Sequence, residues 1–299
     1  DAKFHLFVTE ADNYEGPLEE SWWVEALEKA DSLGVDVVNS SLGYRTFDNS
    51  NYNYTTANMD GQTSFIARGA NVALSRGMIV VNSNGNYRSS AWRIMGTPAD
   101  NQNVFSVGAV DANRAIGWFS SPGPTADMRI KPDVAAMGTS VKVININSGI
   151  VTTNGTSFAS PIIAGAIACF WEAFPDKTAS EILNLVRQSA HLYQNPNYDM
   201  GYGIPDFELA YNQTLSLLNN KKLQHVVFLP NPVNHDVTIK LPESILNGTL
   251  FLYNNQGQLV HNAIIYQNQL LNLENLSSGI YMYKISTING DLLGKIIKK

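Results

Sequence analysis

The sequence predicts a three-layer α/β domain, with a mostly parallel sheet and helices on both of its faces, followed by a smaller all-β domain. Two observations predict the first domain: its helices end at glycine, and each leads directly into a short apolar strand, as in parallel sheets with crossover helices. A third observation separates the domains, because the residues after 222 lack Arg, Trp and Cys and change to a period of two. We therefore expect domains at residues 1–213 and 224–299, joined by a linker at 214–223.

The elements of the first domain follow from apolar spacing and from capping residues. Pro17 suits the first turn of a helix, and Gly34 suits its end. Pro175 stops a long apolar helix that begins at Ser157. The predicted elements are, in order, helix 17–33, strand 35–39, helix 63–76, strands 78–81 and 104–110, and helices 157–174 and 178–190.

The second domain is predicted to be a small β-sandwich. Short alternating runs, separated by turns that contain glycine, predict strands at 237–241, 249–253 and 280–285. Pro230 and Pro232 keep the first strand of this domain at a sheet edge or at a strand start, because proline cannot donate a ladder hydrogen bond.

Composition excludes several classes of protein. The chain has 299 residues, 15% of them charged, and a net charge of −6, so no nucleic-acid-binding surface is expected. We find no run of about 18 apolar residues and therefore expect no membrane span. The one cysteine, Cys169, excludes an internal disulfide and is expected to be a buried core thiol.

The most specific local motif is Asn-Gly-Thr-Ser-Phe-Ala-Ser-Pro at residues 154–161. It opens the long apolar helix, which puts Ser157 at the positive end of the helix dipole, where its own N–H has no partner in the helical ladder. The nucleophile of an acyl transfer needs such access and a donor aimed at the developing oxyanion. The alternative is that Ser157 only caps the helix.

This motif resembles the nucleophile motif of the subtilisin-like serine peptidases, the subtilases, and four further segments resemble the same family in the family's order. They are Asn-Ser-Ser-Leu-Gly at 39–43, Val-Val-Asn-Ser-Asn-Gly-Asn at 80–86, Phe-Ser-Ser-Pro-Gly-Pro at 119–124 and Lys-Pro-Asp-Val at 131–134. The last two resemble structural landmarks. The resemblance covers roughly residues 1–212 and implies a subtilisin-like fold and a serine endopeptidase that works through an acyl-enzyme.

The resemblance also implies roles for single residues: Ser157 is the nucleophile, and Asn86 supplies a side-chain donor to the oxyanion. Two segments form opposite walls of the primary specificity pocket. The first wall, which also pairs with substrate backbone, consists of Ser41, Leu42 and Gly43, and the second consists of Ser83, Asn84 and Gly85. Asn82, Ser83 and Asn84 stand where many relatives have small apolar residues, so we expect a more polar wall. The implied substrates are proteins or peptides. Subtilases often bind calcium, but the sequence offers no ligand loop, and we assign no metal ligand and no cofactor.

The implied triad is incomplete in this sequence. His5 is the only histidine before Ser157, and no Gly-Thr follows it as the family's motif requires. We expect His5 to be an ordinary residue of an alternating strand at 3–8. The family's Asp-bearing strand is also absent. We therefore expect a fragment that is cut at Asp1 and inactive in isolation, with the general base and its orienting acid upstream.

A different set of motifs marks residues 224–299. They lie at 228–233, 252–260 and 276–281, with a lysine-rich end at 295–299. Together they resemble the C-terminal sorting domain of type IX secretion cargo. The resemblance implies an Ig-like sandwich that the type IX secretion machinery recognises, and a protein that is secreted by a Gram-negative bacterium or held on its surface.

Two other functions stay open. A non-catalytic, subtilase-like surface binding module would keep the substrate groove and lose the base. An α/β-hydrolase esterase could use a later histidine such as His191, but its nucleophile elbow needs Gly-x-Ser-x-Gly, and Ala159 occupies the last position. The histidines after Ser157 are not paired at metal-ligand spacing, which disfavours a zinc site.

Overall fold

The computed structural model describes residues 2–223, 226–242, 245–288 and 290–299. The chain divides into two compact units, Asp1–Tyr211 and Asn212–Lys299, and each is described by itself. Asp1, where we expected a cut, and His225 lie outside the described residues.

Unit 1 contains a parallel sheet whose four strands follow chain order. The strands are β1 (Val37–Ser40), β2 (Ile79–Ser83), β3 (Val104–Val110) and β4 (Val134–Met137). All three pairings are parallel, in the order β1-β2-β3-β4. The registers Ser40↔Asn82 and Ser83↔Val107 bring the carboxyl ends of β1 and β2 to the same edge of the sheet, where the polar motifs begin.

Helices cover both faces of this sheet. The helices of unit 1 are α1 (Pro17–Ser32), α2 (Phe65–Ser75), α3 (Thr156–Ala173) and α4 (Ala179–Ser189), with 3₁₀ turns at Ser50–Tyr52 and Thr56–Asn58. A fifth helix, α5 (Phe207–Leu223), begins in unit 1 and continues past its last residue, Tyr211. One buried cluster joins α1 and α2 to Val80 and Val104. Side chains alternate along a strand, so Val81 faces the other side, where α3 packs across all four strands.

Capping chemistry explains where two of these helices begin. The Ser64 side chain accepts the Ala67 N–H at 3.2 Å at the start of α2. At the start of α4, Thr178 and Glu181 cap each other's backbone N–H groups, at 3.3 Å and 2.9 Å. The expected helix 63–76 is therefore observed one or two residues shorter at each end.

The strand expected at residues 3–8 is absent from the described structure, and this prediction is wrong. The segment is extended coil, and its apolar side chains are exposed, with Phe4 85% and Leu6 93% accessible. An alternating run forms a strand only when a neighbour pairs with it. Within the described residues β1 is an edge strand, and nothing pairs with its outer side.

The prediction of a buried Cys169 is also wrong, because this thiol is exposed. The buried residues of α3, such as Ala159, Ile163 and Ile167, face the sheet. Cys169 lies on the opposite face, together with the exposed Ile162. By length and composition alone, α3 would be long and apolar enough to cross a membrane, contrary to our reading of the sequence. Helix α3 packs on the sheet, and a helix in a protein core needs the same apolar composition.

A further hairpin, β5 (Val141–Ile144) with β6 (Ile150–Thr153), immediately precedes α3. Helix α5 runs through the segment that we expected to be a linker, 214–223.

Unit 2 consists of two antiparallel sheets. The strands are β7 (Val227–Leu229), β8 (Asp236–Lys240), β9 (Asn247–Tyr253), β10 (Leu259–Tyr266), β11 (Gln269–Asn272), β12 (Gly279–Thr287) and β13 (Gly290–Lys298). Their orders are β10-β9-β12-β13 and β11-β8-β7, and apolar residues of both sheets form one core, as in a sandwich. Strand β7, which Pro230 follows, lies at a sheet edge as predicted.

Candidate active site

The start of α3 is held against the end of β4. Gly155 is the N-cap residue of α3, and its N–H donates to the Gly138 carbonyl at 2.8 Å. A Cβ atom on Gly138 would lie 2.6 Å from the Ala109 Cβ and 2.7 Å from the Gly155 oxygen, so only glycine fits there. This close backbone contact fixes the first turn of α3 at the edge where the strands end.

Ser157 is the second residue of α3, and the hypothesis that it is the helix cap is wrong. Its side chain is half-buried, and among the described residues its Oγ and its backbone N–H have no protein partner. Its carbonyl oxygen accepts the Ser41 hydroxyl at 3.1 Å. Ser157 therefore offers a free hydroxyl and a free N–H at the positive end of an 18-residue helix.

Asn86 is oriented by Thr156, the residue before Ser157. The Asn86 Oδ1 accepts the Thr156 N–H at 2.9 Å and the Thr156 hydroxyl at 3.0 Å. The Thr156 Oγ1 in turn accepts the Gly85 N–H at 3.1 Å. Because the amide oxygen is committed, the Nδ2 donors of Asn86 point to the other side, and no described residue accepts from them.

The backbone before Asn86 requires glycine. Gly85 has a φ of 101°, in the left-handed region, and a Cβ there would lie 3.0 Å from the Tyr87 ring. This turn takes the chain from the end of β2 to Asn86 within three residues, since β2 ends at Ser83.

The two segments that we predicted as pocket walls lie side by side. Ser41, Leu42 and Gly43 follow β1, and Ser83 ends β2, which pairs with β1. The Asn82 Nδ2 donates to the Leu42 carbonyl at 3.0 Å and ties the two segments together. The Asn84 Nδ2 donates to the Ser121 carbonyl at 2.7 Å.

Both amides, of Asn82 and Asn84, are buried and keep an Oδ1 without a partner among the described residues. Their nitrogens serve the protein's own loops, so much of the polar character that we expected of this wall is used internally.

The structure adds residues that sequence reasoning missed. The Tyr87 hydroxyl donates to the Gly43 carbonyl at 3.3 Å, and the Tyr87 N–H donates to the Ser121 Oγ at 2.8 Å. The Arg45 guanidinium lies over the Tyr87 ring, 4.6 Å from its centroid. Tyr87 directly follows Asn86 in the sequence, and this position was the signal that could have identified it. Nothing in the sequence pairs Arg45 with it.

The two histidines of unit 1 do not supply a base to Ser157 in this structure. His5 lies in the exposed coil of residues 2–8. The Nδ1 of His191 accepts the Ile204 N–H at 2.9 Å, so the neutral ring carries its proton on Nε2. A ring in this state has no free lone pair with which to take a proton, and this disfavours the esterase that we considered.

A buried ionic cluster anchors the edge formed by β3 and β4. The Lys131 ammonium donates to Asp133 at 2.7 Å and to the Val104 carbonyl at 2.6 Å, and Arg187 donates to the other Asp133 oxygen at 2.8 Å. The two cations hold the pKa of Asp133 below its usual range against the opposing effect of burial, and burial lowers the pKa of Lys131. This cluster matches the structural role implied for residues 131–134.

No group of three or more His, Cys, Asp or Glu side chains in the described part of the chain could hold a metal ion. The structure therefore identifies no residues for the calcium that the resemblance allows.

Comparison with known families gives two matches. The Subtilase family matches residues 3–203, and the secretion system C-terminal sorting domain matches residues 227–299. Among curated proteins, subtilisin DY of Bacillus licheniformis is 32% identical over 188 residues, which are 62% of this chain and 61% of that protein. The subtilisin-like protease SBT6.1 of Arabidopsis thaliana is 28% identical over 64% of this chain and 18% of its own length. The chain thus spans less than two thirds of these relatives.

Solved structures show the same fold. The prenylagaramide maturation protease PagA superposes with a TM-score of 0.53 at 20% identity, over 64% of this chain and 66% of that chain. The self-cleaved protease domain of PatA has a TM-score of 0.53 at 20% identity, over 66% of this chain and 68% of that chain.

These findings confirm the resemblances that the motifs carried. The subtilase match covers about two thirds of the chain, and the sorting domain identifies a protein that a Gram-negative bacterium secretes or holds on its surface. The chain belongs to the subtilase family of serine peptidases and carries a secretion system C-terminal sorting domain.

Proposed function

We propose that the chain supplies the nucleophile, the oxyanion donors and the substrate walls of an exported serine endopeptidase. The observation that carries the proposal is the arrangement at the start of α3, where Thr156 fixes the amide of Asn86 beside the free hydroxyl and N–H of Ser157. A hydroxyl with two unpaired N–H donors around it is what acyl transfer requires.

The chemistry begins when the Ser157 Oγ attacks a peptide carbonyl carbon and gives its proton to the general base. The carbonyl oxygen becomes an oxyanion, which accepts hydrogen bonds from the Ser157 N–H and from the Asn86 Nδ2. Collapse of this tetrahedral species breaks the C–N bond, and the amine leaves with the proton that the base held. Water then attacks the acyl-enzyme by the reverse sequence and releases the acid.

The substrate lies extended along the segment from Ser41 to Gly43. This segment follows an edge strand, so an added strand can pair with its outer side. The Leu42 and Gly43 carbonyls already accept Asn82 and Tyr87. Ser83 and Gly85 form the facing wall, with Asn84 anchored behind it to Ser121. This arrangement gives the chain a peptide groove that ends at Ser157.

The general base and its orienting carboxylate come from residues that precede residue 1 in a longer protein. The support for this part of the proposal is the state of the two histidines in unit 1. His5 is exposed in coil, and His191 is committed to Ile204. On this proposal, residues 1–299 alone are inactive, and the boundaries 1–213, 214–223 and 224–299 describe a peptidase part, a connecting segment and a sorting domain.

The test is hydrolysis of casein and of peptide amides by the native protein purified from the bacterium that produces it. Replacement of Ser157 by Ala is expected to abolish turnover. Ser160→Ala is the matched control, because the Ser160 Oγ is buried and donates to Asn39 at 2.7 Å, and it should keep most of the activity. Turnover by the native protein that survives Ser157→Ala would contradict the proposal.

A second candidate is a peptide-binding module without catalysis. The observation that favours it is the lack of any histidine contact to Ser157 within the described residues. A native protein that binds peptides in the groove, hydrolyses none of them and begins at residue 1 after export would support this alternative.

A further inference from the structure

Arg45 is a cation with no ionic partner beside the proposed groove. Its guanidinium lies 4.6 Å from the centroid of the Tyr87 ring and 5.9 Å from that of Trp92. Among the described residues its guanidinium has no carboxylate within 4.0 Å and no hydrogen-bond acceptor. A half-buried guanidinium stacked on two rings keeps its five N–H donors unused.

The two rings are fixed by the protein, so the position of the guanidinium is also fixed. The Tyr87 hydroxyl donates to Gly43 at 3.3 Å, and the Trp92 Nε1 donates to the Met95 carbonyl at 2.9 Å. Arg45 follows Gly43 by two residues, and Tyr87 directly follows Asn86. The cation therefore stacks on the ring of Tyr87, the residue that directly follows the proposed oxyanion donor.

Glu15 and the carboxylates that act on it, Glu10 and Glu19, form no ion pair with this cation. Glu10 accepts the Tyr44 hydroxyl, and Glu19 accepts the N–H groups of Ala11 and Gly16 at 2.9 and 3.0 Å. Burial raises the pKa of Glu15, and the charge of Arg45 opposes this only weakly, since the two side chains form no ion pair. Glu15 therefore lies within electrostatic range of Arg45 without pairing with its N–H donors.

We propose that Arg45, held by Tyr87 and Trp92, recognises the carboxylate of a glutamate or aspartate side chain next to the scissile bond. The inference rests on the proposed function, because it assumes that the groove holds a peptide. A planar guanidinium binds a carboxylate through two parallel N–H···O bonds, and stacking on the rings keeps this fork oriented. The substrate class is therefore an acidic peptide.

The test measures binding and not turnover, on the full chain with Ser157→Ala. The probes are fluorescein-labelled octapeptides of alanine that carry one Glu at successive positions, each with a matched Gln peptide. We expect one Glu peptide to bind about 10-fold or more tightly than its Gln partner by fluorescence anisotropy, the scale of a charge-assisted hydrogen bond. Arg45→Gln should abolish this preference, and Arg45→Lys should keep only part of it, because an ammonium cannot bind through two parallel bonds.

The control is Arg114→Gln, which removes an equal charge from an exposed turn and should leave the preference unchanged. Equal affinity for every Glu and Gln pair, a preference that survives Arg45→Gln, or no binding of any peptide would overturn the proposal. Far-UV circular dichroism of each variant checks the fold. Failure of the Arg45 proposal is distinguishable from failure of the proposed function. If the native protein hydrolyses peptides but shows no Glu preference, the peptidase proposal stands and the Arg45 proposal fails. If the Glu preference is found but the native protein hydrolyses no peptide, the Arg45 proposal stands and the peptidase proposal fails.

Discussion

The side-chain oxygen of Asn86 accepts two hydrogen bonds from Thr156, one from its backbone N–H at 2.9 Å and one from its hydroxyl at 3.0 Å. An amide held by its oxygen can present only its nitrogen to a ligand. Thr156 therefore acts as a positioning residue, and it joins the turn after β2 to the first turn of α3, where Ser157 follows. This relationship has consequences that mutations can test.

Thr156→Val should lower kcat of the native enzyme about 10-fold and leave KM nearly unchanged. The substitution keeps the shape of the buried side chain but removes one of the two hydrogen bonds that orient Asn86. The hydrogen bond from Asn86 to the substrate stabilises the oxyanion and not the ground-state carbonyl, so its loss affects kcat rather than KM. Steady-state kinetics with a peptide amide measure the split. Thr153→Val, on strand β6, is the control, since the Thr153 hydroxyl makes no hydrogen bond to Asn86. An unchanged kcat would show that Asn86 needs no such support.

Asn86→Ala should lower kcat by about 10²–10³, the loss found when a subtilisin is deprived of its oxyanion asparagine. The ground-state carbonyl needs this donor less than the oxyanion does, so KM should change little. Asn113→Ala, in an exposed turn, is the matched control. A KM effect without a kcat effect would reassign Asn86 to substrate binding.

Asp100→Asn should stabilise unit 1 above pH 6. Burial raises the pKa of Asp100 from 3.8 to about 6, against the Gly61 N–H bond at 2.7 Å. The folded protein thus binds a proton that the unfolded chain has released, so stability falls as the pH rises from about 4 to about 6. Two pKa units correspond to about 3 kcal/mol, which the neutral amide should recover.

The measurement is the melting temperature of parent and Asp100→Asn between pH 4 and 8, followed by tryptophan fluorescence. All five tryptophans belong to unit 1, so this signal does not report on unit 2. The gain should be largest at pH 7–8 and vanish near pH 4. The control Asp12→Asn, at an exposed position, should give no such profile. A gain that does not depend on pH would contradict the raised pKa.

Lys131→Met should destabilise unit 1 by about 3–5 kcal/mol, the usual cost of breaking a buried ion pair. Asp133 keeps Arg187 and the Ser106 donors, but its Oδ2 loses the ammonium and the Val104 carbonyl loses its Lys131 donor. Urea unfolding followed by tryptophan fluorescence gives the free energy. Lys177→Met removes an exposed pair with Glu181 and should leave the midpoint nearly unchanged. Equal effects of the two substitutions would show that burial of the cluster has no energetic role.

Local patterns predicted most of the fold, because each pattern depends on residues close in sequence. The helix around Trp22 to Leu33, the apolar strand before Asn82 and the Ser157 motif are all continuous segments. The prediction of a strand at 3–8 was wrong because a strand needs a pairing partner, which its own sequence does not specify. The prediction that Cys169 is buried was wrong because apolar composition does not show which face of α3 packs against the sheet.

The site was predicted in part for the same reason. Ser157 and Asn86 stand in recognisable motifs, whereas the contact of Arg45 with Tyr87 and Trp92 joins residues about 40 positions apart that share no pattern. The role of Thr156 could not be predicted from the sequence, since only the distances in the structure show that its hydroxyl donates to the Asn86 side chain.

The most direct measurement is the mapping of a fluorophosphonate adduct on the native protein by peptide mass spectrometry. The reagent phosphonylates only a serine that a base activates. The account predicts one adduct, on Ser157, with labelling slowed by Asn86→Ala because the oxyanion donor also stabilises the phosphonyl oxygen. A native protein that stays unlabelled at Ser157, or is labelled at another serine, would contradict the claim that this chain carries the nucleophile of a serine peptidase.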